Sequence, residues 1–127
     1  MAKFVLHRAS YDHMVKAPKG ETGRFLAKRA EKLVHLSRRQ VGKKTRALER
    51  SISYKVVRDG RGLVAVVGSS NRVALMHHQG TRPHIILPKR AKTLRFYSRG
   101  RIVYSKMVRH PGTKPNRYLT DNLRRVV

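Results

Sequence analysis

Two short segments of this chain combine a histidine, a turn and a cation in the same order. Residues 78–83 and 110–115 both read His, any residue, Gly, Thr, a cation, Pro. Glycine permits a positive φ, so the chain can turn sharply there, and a threonine hydroxyl can cap such a turn. Proline fixes the backbone of the next segment and holds the preceding cation in extended geometry. Each copy is therefore predicted to be a rigid loop that presents one positive charge to an anionic partner.

We expect the two copies to act as assembly loops, and they bracket residues 84–109, which have strand patterns. The residues assigned to these loops are Gly80, Thr81, Arg82, Pro83, His84, Gly112, Thr113, Lys114 and Pro115. No longer similarity surrounds the two copies, so they do not indicate a duplicated domain or a solenoid. A chance pair of common turns is the plain alternative.

The seven histidines raise the question of a metal site or of acid–base catalysis. His77 and His78 are adjacent, so in a strand they would point to opposite faces and would not easily share a metal. The chain has no cysteine, and no carboxylate between Asp59 and Asp121, to complete a zinc or magnesium shell. A nuclease that uses two histidines and a lysine is chemically conceivable, but no spacing signature supports it. We therefore predict a protein that is not an enzyme and has no metal and no cofactor.

Positive charge is the strongest signal in the composition. Lys and Arg number 31 against 6 Asp and Glu, which gives a formal net charge of +25 over 127 residues. Such a chain repels itself and favours a polyanion, with nucleic acid first and a phosphate-dense or acidic protein surface second. The cations are spread along the chain and not gathered in a tail, which favours a folded basic body. A basic surface that is merely solvated is the alternative.

Helical periodicity dominates residues 21–43, where Thr22 is the candidate N-cap. Apolar or small residues recur on one face at spacings of three and four: Leu26, Ala30, Leu33, Val34, Ser37 and Val41. The opposite face is cationic and carries Arg24, Lys28, Lys32, His35 and Arg39. This face either grips phosphates or is the solvated side of a core helix. Binding to a membrane surface is the weaker alternative, because the apolar face lacks tryptophan, and no segment approaches the roughly 20 apolar residues of a membrane span.

The rest of the chain alternates strand patterns with turns. A short helical turn is predicted at residues 45–52, and Asp59 with Gly60 predicts a hairpin. Pro115 suits the first turn of a closing helix. The predicted strands cover residues 52–56, 63–67, 84–88, 93–97 and 101–108.

These elements predict one α+β domain over residues 1–127. We expect an antiparallel sheet of four to five strands, packed by a long N-terminal helix and a short C-terminal helix. Residues 1–20 are expected to be a partly ordered arm or assembly segment. Pro18 and Gly20 interrupt regular structure at its end and separate it from the following helix.

Several cations are candidates for contact with DNA or an acidic partner. They are Arg24, Lys28, Lys32, Arg39, Arg82, Lys89, Arg90, Lys92 and Lys114. Phe96 and Tyr97 lie beside Arg95 and Arg99 and could stack nucleotide bases. Because the chain has few aromatic residues, we expect these two rings to be core or half-buried sheet residues instead.

A series of short motifs follows in a fixed order from Thr45 to Leu123. Thr-Arg-Ala-Leu-Glu-Arg-Ser-Ile occupies residues 45–52, Val-Gly-Ser occupies residues 67–69, and Ala-Leu-Met-His-His-Gln-Gly-Thr-Arg-Pro-His occupies residues 74–84. The closing half carries Arg-Phe at 95–96, Arg-Ile-Val-Tyr at 101–104, and His-Pro-Gly-Thr-Lys-Pro-Asn-Arg-Tyr-Leu at 110–119.

The order and spacing of these motifs resemble a large family of tail-completion, or neck, proteins of long-tailed bacteriophages. That family has a Thr-Gly-x-Leu-Arg-x-Ser-Ile segment and then a Val-Gly-Ser strand end before a His- or Glu-Gly-Thr-x-Pro loop. A Pro-x-x-Tyr/Phe-Leu segment opens its last helix. Arg46 departs from the pattern, since the family usually has Gly there, and residues 1–40 match only in being a basic helix.

The resemblance implies an α+β structural subunit of the head-to-tail connector, without catalysis. It implies a homo-oligomeric ring, on the order of six or twelve copies, between portal-side connector proteins and tail terminator or tail-tube proteins. The expected location is the neck of the virion, after assembly in the host cytoplasm, with duplex DNA in the channel and no membrane. The family has no agreed functional residues to carry over. A free nucleic-acid-binding protein, ribosomal or nucleoid-like, is the alternative that explains the charge equally well.

Overall fold

The computed structural model describes residue 3, residues 5–42 and residues 46–127. The chain divides into two compact units, one of residues 1–74 with 117–127, and one of residues 75–116. The acidic residues all belong to the first unit, so the second has no carboxylate side chain. That the whole chain acts as one domain stays a prediction.

The described elements confirm an α+β protein with a long helix in its N-terminal part. In chain order they are α1 (Arg8–Lys16), α2 (Glu21–Gln40), α3 (Ala47–Ser51), β1 (Ile52–Asp59), β2 (Gly62–Ser69), α4 (Ala74–Gln79), β3 (His84–Ile86), β4 (Leu94–Ser98), β5 (Arg101–Ser105), β6 (Val108–His110) and α5 (Thr120–Leu123). Within the described ranges, no helix is both long enough and apolar enough to cross a bilayer.

The strands differ from the single sheet of four to five strands that we expected. In the described part of the chain they pair two by two, as antiparallel β1–β2, β3–β6 and β4–β5. Prolines at 83, 88 and 111 flank the short strands and remove donors from any longer ladder. The Asp59–Gly60 hairpin is confirmed, and the Asp59 carboxylate accepts the backbone N–H groups of Arg61 and Gly62 at 2.8 and 2.9 Å.

Helix α2 has the two faces that its periodicity predicts. Its apolar face is buried at Ala30, Leu33, Val34 and Ser37, and Val41 is buried just after its end. The predicted N-cap is wrong: Gly20 has that position, in extended geometry, and its carbonyl oxygen accepts the N–H of Arg24 at 2.9 Å. The helix ends at Gln40, close to its expected end, and Val41 turns to extended geometry while its N–H still bonds the carbonyl oxygen of Ser37. Residues 43–45 lie outside the described residues.

The core of the first unit lies where α2, α3 and β1 meet the C-terminal segment. It contains Val34, Val41, Leu48, Ile52 and Tyr118, with Val67, Ala74 and Leu119 packed around it. The carbonyl oxygen of Tyr118 accepts the Ser37 hydroxyl and the Asn122 amide, both at 2.8 Å. Both bonds satisfy buried polar groups, and the bond from Ser37 also joins α2 to the C-terminal segment.

The closing helix is shorter than expected. It runs only from Thr120 to Leu123, so Pro115 does not lie in its first turn. The residues before this helix are not helical, and one of them bonds another segment: the N–H of Asn116 donates to the carbonyl oxygen of His77 at 3.1 Å. Tyr118 and Val126 are buried as a closing segment requires, but they flank the helix.

Helix α1 was missed by the sequence patterns, which predicted only an arm over residues 1–20. The helix has no buried residue, and its apolar stripe is short, with Tyr11, Met14 and Val15 as its only large apolar residues. It packs on α2, and an ion pair between Lys16 and Asp12, one turn apart, joins two of its exposed side chains at 2.7 Å.

The Tyr118 hydroxyl is expected to ionise at a higher pH in the folded protein than in the unfolded chain. Burial raises the pKa of Tyr118 above its usual 10.0, so in alkali the unfolded chain loses this proton before the folded one. Stability is therefore unaffected by this group below about pH 10 and falls as pH rises further. Ultraviolet titration of tyrosinate should show one delayed step, which Tyr118→Phe removes and Tyr97→Phe retains. A single common step for all five tyrosines would contradict the expectation.

Candidate functional site

The two loops predicted from the sequence lie side by side in the second unit. Thr81 and Thr113 form an antiparallel bridge, in which the N–H of each donates to the carbonyl oxygen of the other at 3.0 Å. Each N–H also lies 3.1 Å from the other hydroxyl oxygen, and the two hydroxyls are 3.1 Å apart. Each threonine was expected to cap its own turn, but it caps the other loop instead. We call residues 80–83 with 112–115 the loop clasp.

The loop clasp continues the ladder of β3 and β6. These strands place His84 opposite His110, and the same register carried one pair further places Pro83 opposite Pro111. Neither proline has an N–H to donate, so the ladder is interrupted there and resumes at the bridged threonines. The expectation that strands lie between the two loops is thus confirmed, and these strands also bring the loops together.

Both glycines of the loop clasp are required by conformation and by space. Gly80 has φ of 75° and Gly112 has φ of 85°, the left-handed region in which side chains are strained. A Cβ on Gly80 would lie 2.5 Å from the carbonyl oxygen of Thr113, and one on Gly112 would come closer still to the carbonyl oxygen of Thr81. The two copies of the motif therefore pack against each other, because each glycine leaves space for the backbone of the other loop.

Histidines lie beside the loop clasp, but their side chains do not point to one common site. The His110 Nδ1 accepts the N–H of Gly112 at 3.0 Å, while the His84 Nδ1 lies 2.9 Å from the carbonyl oxygen of Arg82 and must donate to it. The two imidazole rings stack with centroids 4.9 Å apart. His77 and His78 belong to α4 and not to a strand. Among the residues described, no group of three or more His, Asp or Glu side chains is placed to hold a metal ion.

The cations of the second unit are all exposed, and this unit is described without gaps. Arg82 and Lys114 of the loop clasp each follow a bridged threonine directly. The ten are Arg82, Lys89, Arg90, Lys92, Arg95, Arg99, Arg101, Lys106, Arg109 and Lys114. Because the same unit has no carboxylate, none of this charge is neutralised from within the unit. Such a surface has a positive field that attracts polyanions.

The first unit carries the cationic stripe predicted on α2. The stripe is exposed at Arg24, Lys28, Lys32, His35 and Arg39. Two other arginines of this helix, which the sequence did not distinguish, have structural partners. Arg29 donates to the carbonyl oxygen of Val126 and lies 4.7 Å above the Phe25 ring, and Arg38 donates to the carbonyl oxygen of Ile52 at 2.7 Å. Arg29 and Arg38 are exposed as well, but each also binds a backbone carbonyl group of another segment.

Aromatic exposure on the β4–β5 hairpin departs from the sequence expectation at one of the two rings. Tyr97 is 73% exposed, so it is neither a core nor a half-buried residue, whereas Phe96 is 37% exposed and is half-buried. Tyr104, which the sequence reasoning did not single out, is 64% exposed. The hairpin closes through Arg99 and Gly100, both with positive φ, as its two-residue turn requires. The alternation of Arg95, Tyr97, Ile102 and Tyr104 around this turn is the signal that could have revealed the exposed face.

The described site thus offers two features to a partner. One is the loop clasp with its pair of cations, and the other is the acid-free, fully exposed charge around it. Both suit ionic contact with an extended anion, whose phosphates or carboxylates would replace the missing counter-charges. No model of a known protein family, no curated protein and no solved structure matches this chain.

Proposed function

We propose that this protein is a structural, non-catalytic subunit of a bacteriophage head-to-tail connector. It forms a ring, on the order of six or twelve copies, that joins the DNA-filled head to the tail in the neck of the virion. The observation that carries the proposal is the loop clasp, which unites both copies of the repeated motif and presents Arg82 and Lys114. The order of motifs from Thr45 to Leu123, which resembles that of neck proteins, supports the same assignment.

Charge explains what the loop clasp would do in such a ring. Copies with a formal net charge of +25 repel one another, so a ring needs an anion to compensate them. Duplex DNA in the channel supplies one phosphate per about 1.7 Å of axis, and acidic neighbouring proteins on the portal or tail side would act alike. We also propose that open edges of the two-stranded sheets pair with neighbouring copies, which would extend them toward the four to five strands expected from the sequence.

A free nucleic-acid-binding protein, ribosomal or nucleoid-like, is the second candidate. The exposed Tyr97 and Tyr104 beside Arg95 favour it, because a protein that only lines a channel has no need of exposed rings. The genes on either side distinguish the two functions. Capsid and tail genes would favour the connector, and translation genes would favour the alternative.

Charge reversal in the loop clasp tests the connector function. In phage that carry Arg82→Glu with Lys114→Glu, we expect joined particles to fall to below about a tenth of the wild-type yield, because like charges at the contact repel. Electron microscopy would count joined particles against separate heads and tails. The matched control is Lys55→Glu with Arg58→Glu, which makes the same charge change on exposed positions of β1 and should join normally.

Copy number provides the independent measurement. Quantitative mass spectrometry of intact particles should find a small fixed number of chains, a multiple of about six if the ring is closed. If the chain is absent from particles and is bound to cellular RNA or DNA, the connector function is wrong and the second candidate function is supported. Normal joining in the double charge reversal would remove the loop clasp from the mechanism.

A further inference from the structure

One face of the β4–β5 hairpin is aromatic, cationic and uncovered. The strand register places Tyr104 opposite Arg95 and Ile102 opposite Tyr97, so these four side chains share a face. Tyr97 is 73% exposed, Tyr104 64% and Ile102 47%, and Arg95 is exposed with them. Large rings left this open on a sheet face are typical of a binding surface.

A shallow pocket lies on the same hairpin. Arg95, Phe96, Tyr97 and Ile102 line it, and its volume is about 280 Å³. That volume is below the usual range for drug-sized ligands and suits a single planar group with a small substituent. A flat aromatic group would lie against the Tyr97 ring while a charge attached to it reaches Arg95.

Charge decides what kind of partner this face accepts. Arg99 lies in the hairpin turn, Arg101 follows the turn and Arg95 lies in the face, and the unit has no carboxylate to pair with them. An apolar protein surface would bury these guanidinium groups without partners, at a high desolvation cost. A partner that joins flat π-surfaces to a chain of anions satisfies both the rings and the arginines. Unpaired nucleotides have this chemistry.

We infer that this face of the β4–β5 hairpin binds single-stranded nucleic acid. Unpaired bases stack on Tyr97 and Tyr104, and the backbone phosphates lie against Arg95 and Arg99. Duplex DNA fits less well, because its bases already stack on one another and present only their edges in the grooves. The inference can be tested apart from the connector function, because oligonucleotide binding is measured on the isolated protein and particle joining is measured in phage.

Fluorescence anisotropy with a labelled oligodeoxythymidine tests the inference on the full-length protein. We expect Tyr97→Ala and Tyr104→Ala each to weaken binding about ten-fold, by the loss of one stacked base. Both substitutions are uncharged, so the dependence of affinity on salt should stay unchanged. Arg95→Ala, in contrast, should lower the slope of log affinity against log salt by about 0.7. The matched control is Tyr11→Ala, which removes an exposed tyrosine on α1 and should bind as the wild type does.

Two further measurements separate stacking from charge and from self-association. The double alanine variant combines Tyr97→Ala with Tyr104→Ala. The fluorescence of an oligonucleotide that contains aminopurine should change when it binds the wild type or Tyr97→Phe, and should not change when it binds the double alanine variant. Sedimentation should give the same oligomeric state for all variants. Wild-type affinity for single strands in the double alanine variant would overturn the inference. A changed oligomeric state with intact oligonucleotide binding would also overturn it and assign the face to contact between copies.

Discussion

Replacing Gly112 with alanine is expected to lower the free energy of unfolding by about 2 to 4 kcal/mol and to open the loop clasp. Two costs add at this position. The φ of 85° lies in the left-handed region, which an alanine enters at a cost of about 1–2 kcal/mol. The new methyl group would also overlap the carbonyl oxygen of Thr81 and crowd the link between Arg82 and Pro83, both backbone groups that cannot rotate away.

Other glycines of the chain provide controls that separate the two costs. Gly100 has φ of 81° with open space around it, so its alanine variant should show only the conformational cost, about 1 kcal/mol. Gly60 has open space and no positive φ, and its variant should change stability by less than about 0.5 kcal/mol. Gly80 resembles Gly112 in both respects and should behave like it.

Urea denaturation measures these differences, and hydrogen exchange locates them. In the Gly112→Ala and Gly80→Ala variants, the amides of Thr81 and Thr113 should lose protection, since each donates across the loop clasp. If Gly112→Ala lowers the free energy of unfolding no more than Gly100→Ala does, and both amides stay protected, the two loops are not packed as described.

The second large effect is expected in the core of the first unit. Ile52→Ala should lower the free energy of unfolding by about 3 to 4 kcal/mol, because it leaves a cavity among well-packed neighbours. Ile52 is 0% exposed and lies at the junction of α3 and β1. Its neighbours in the cluster come from separate parts of the chain: Val34, Val41, Leu48 and Tyr118. Such a site has little freedom to collapse around a smaller side chain.

The same substitution at an exposed isoleucine is the matched control. Ile85 lies in β3 and is 57% exposed, so Ile85→Ala should change stability by less than about 1 kcal/mol. Ile52→Val, which removes one methylene, should cost about 1 kcal/mol. Urea denaturation followed by circular dichroism gives all three values. If Ile52→Ala and Ile85→Ala lower the free energy of unfolding equally, Ile52 does not lie in the core.

The sequence alone determined the features that depend on neighbours along the chain. The period of α2 assigned its buried face through Ala30, Leu33 and Val34, because side chains three and four apart share a side of any helix. Asp59 with Gly60 determined the β1–β2 hairpin, since the carboxylate binds the turn that follows it. The need for a positive φ at both motif glycines was likewise predictable, because few other residues adopt it.

Weak local signals explain the elements that were placed wrongly. Helix α1 has only three large apolar residues, Tyr11, Met14 and Val15, and Pro18 follows closely, so its helical period was too short to be recognised. The closing helix was expected to begin near Pro115, a common first-turn residue, but the adjoining Asn116 is bonded to His77 instead. The strand patterns marked most of the strands, but the one strand expected over residues 101–108 is divided into β5 and β6. A period of two also does not specify which strands pair, and they form separate pairs among the described residues.

Only the tertiary structure decided what the candidate site is. The loop clasp joins residues 32 positions apart, and no local pattern states that Thr81 will bond Thr113 and not its own turn. The partners of Arg29 and Arg38, and the exposure of Tyr97, depend in the same way on which backbone passes nearby. Composition determined the excess of positive charge, which favours an anionic partner, because charge is a sum over residues. The place of contact depends on distances between residues remote in the chain, which are established only when the chain folds.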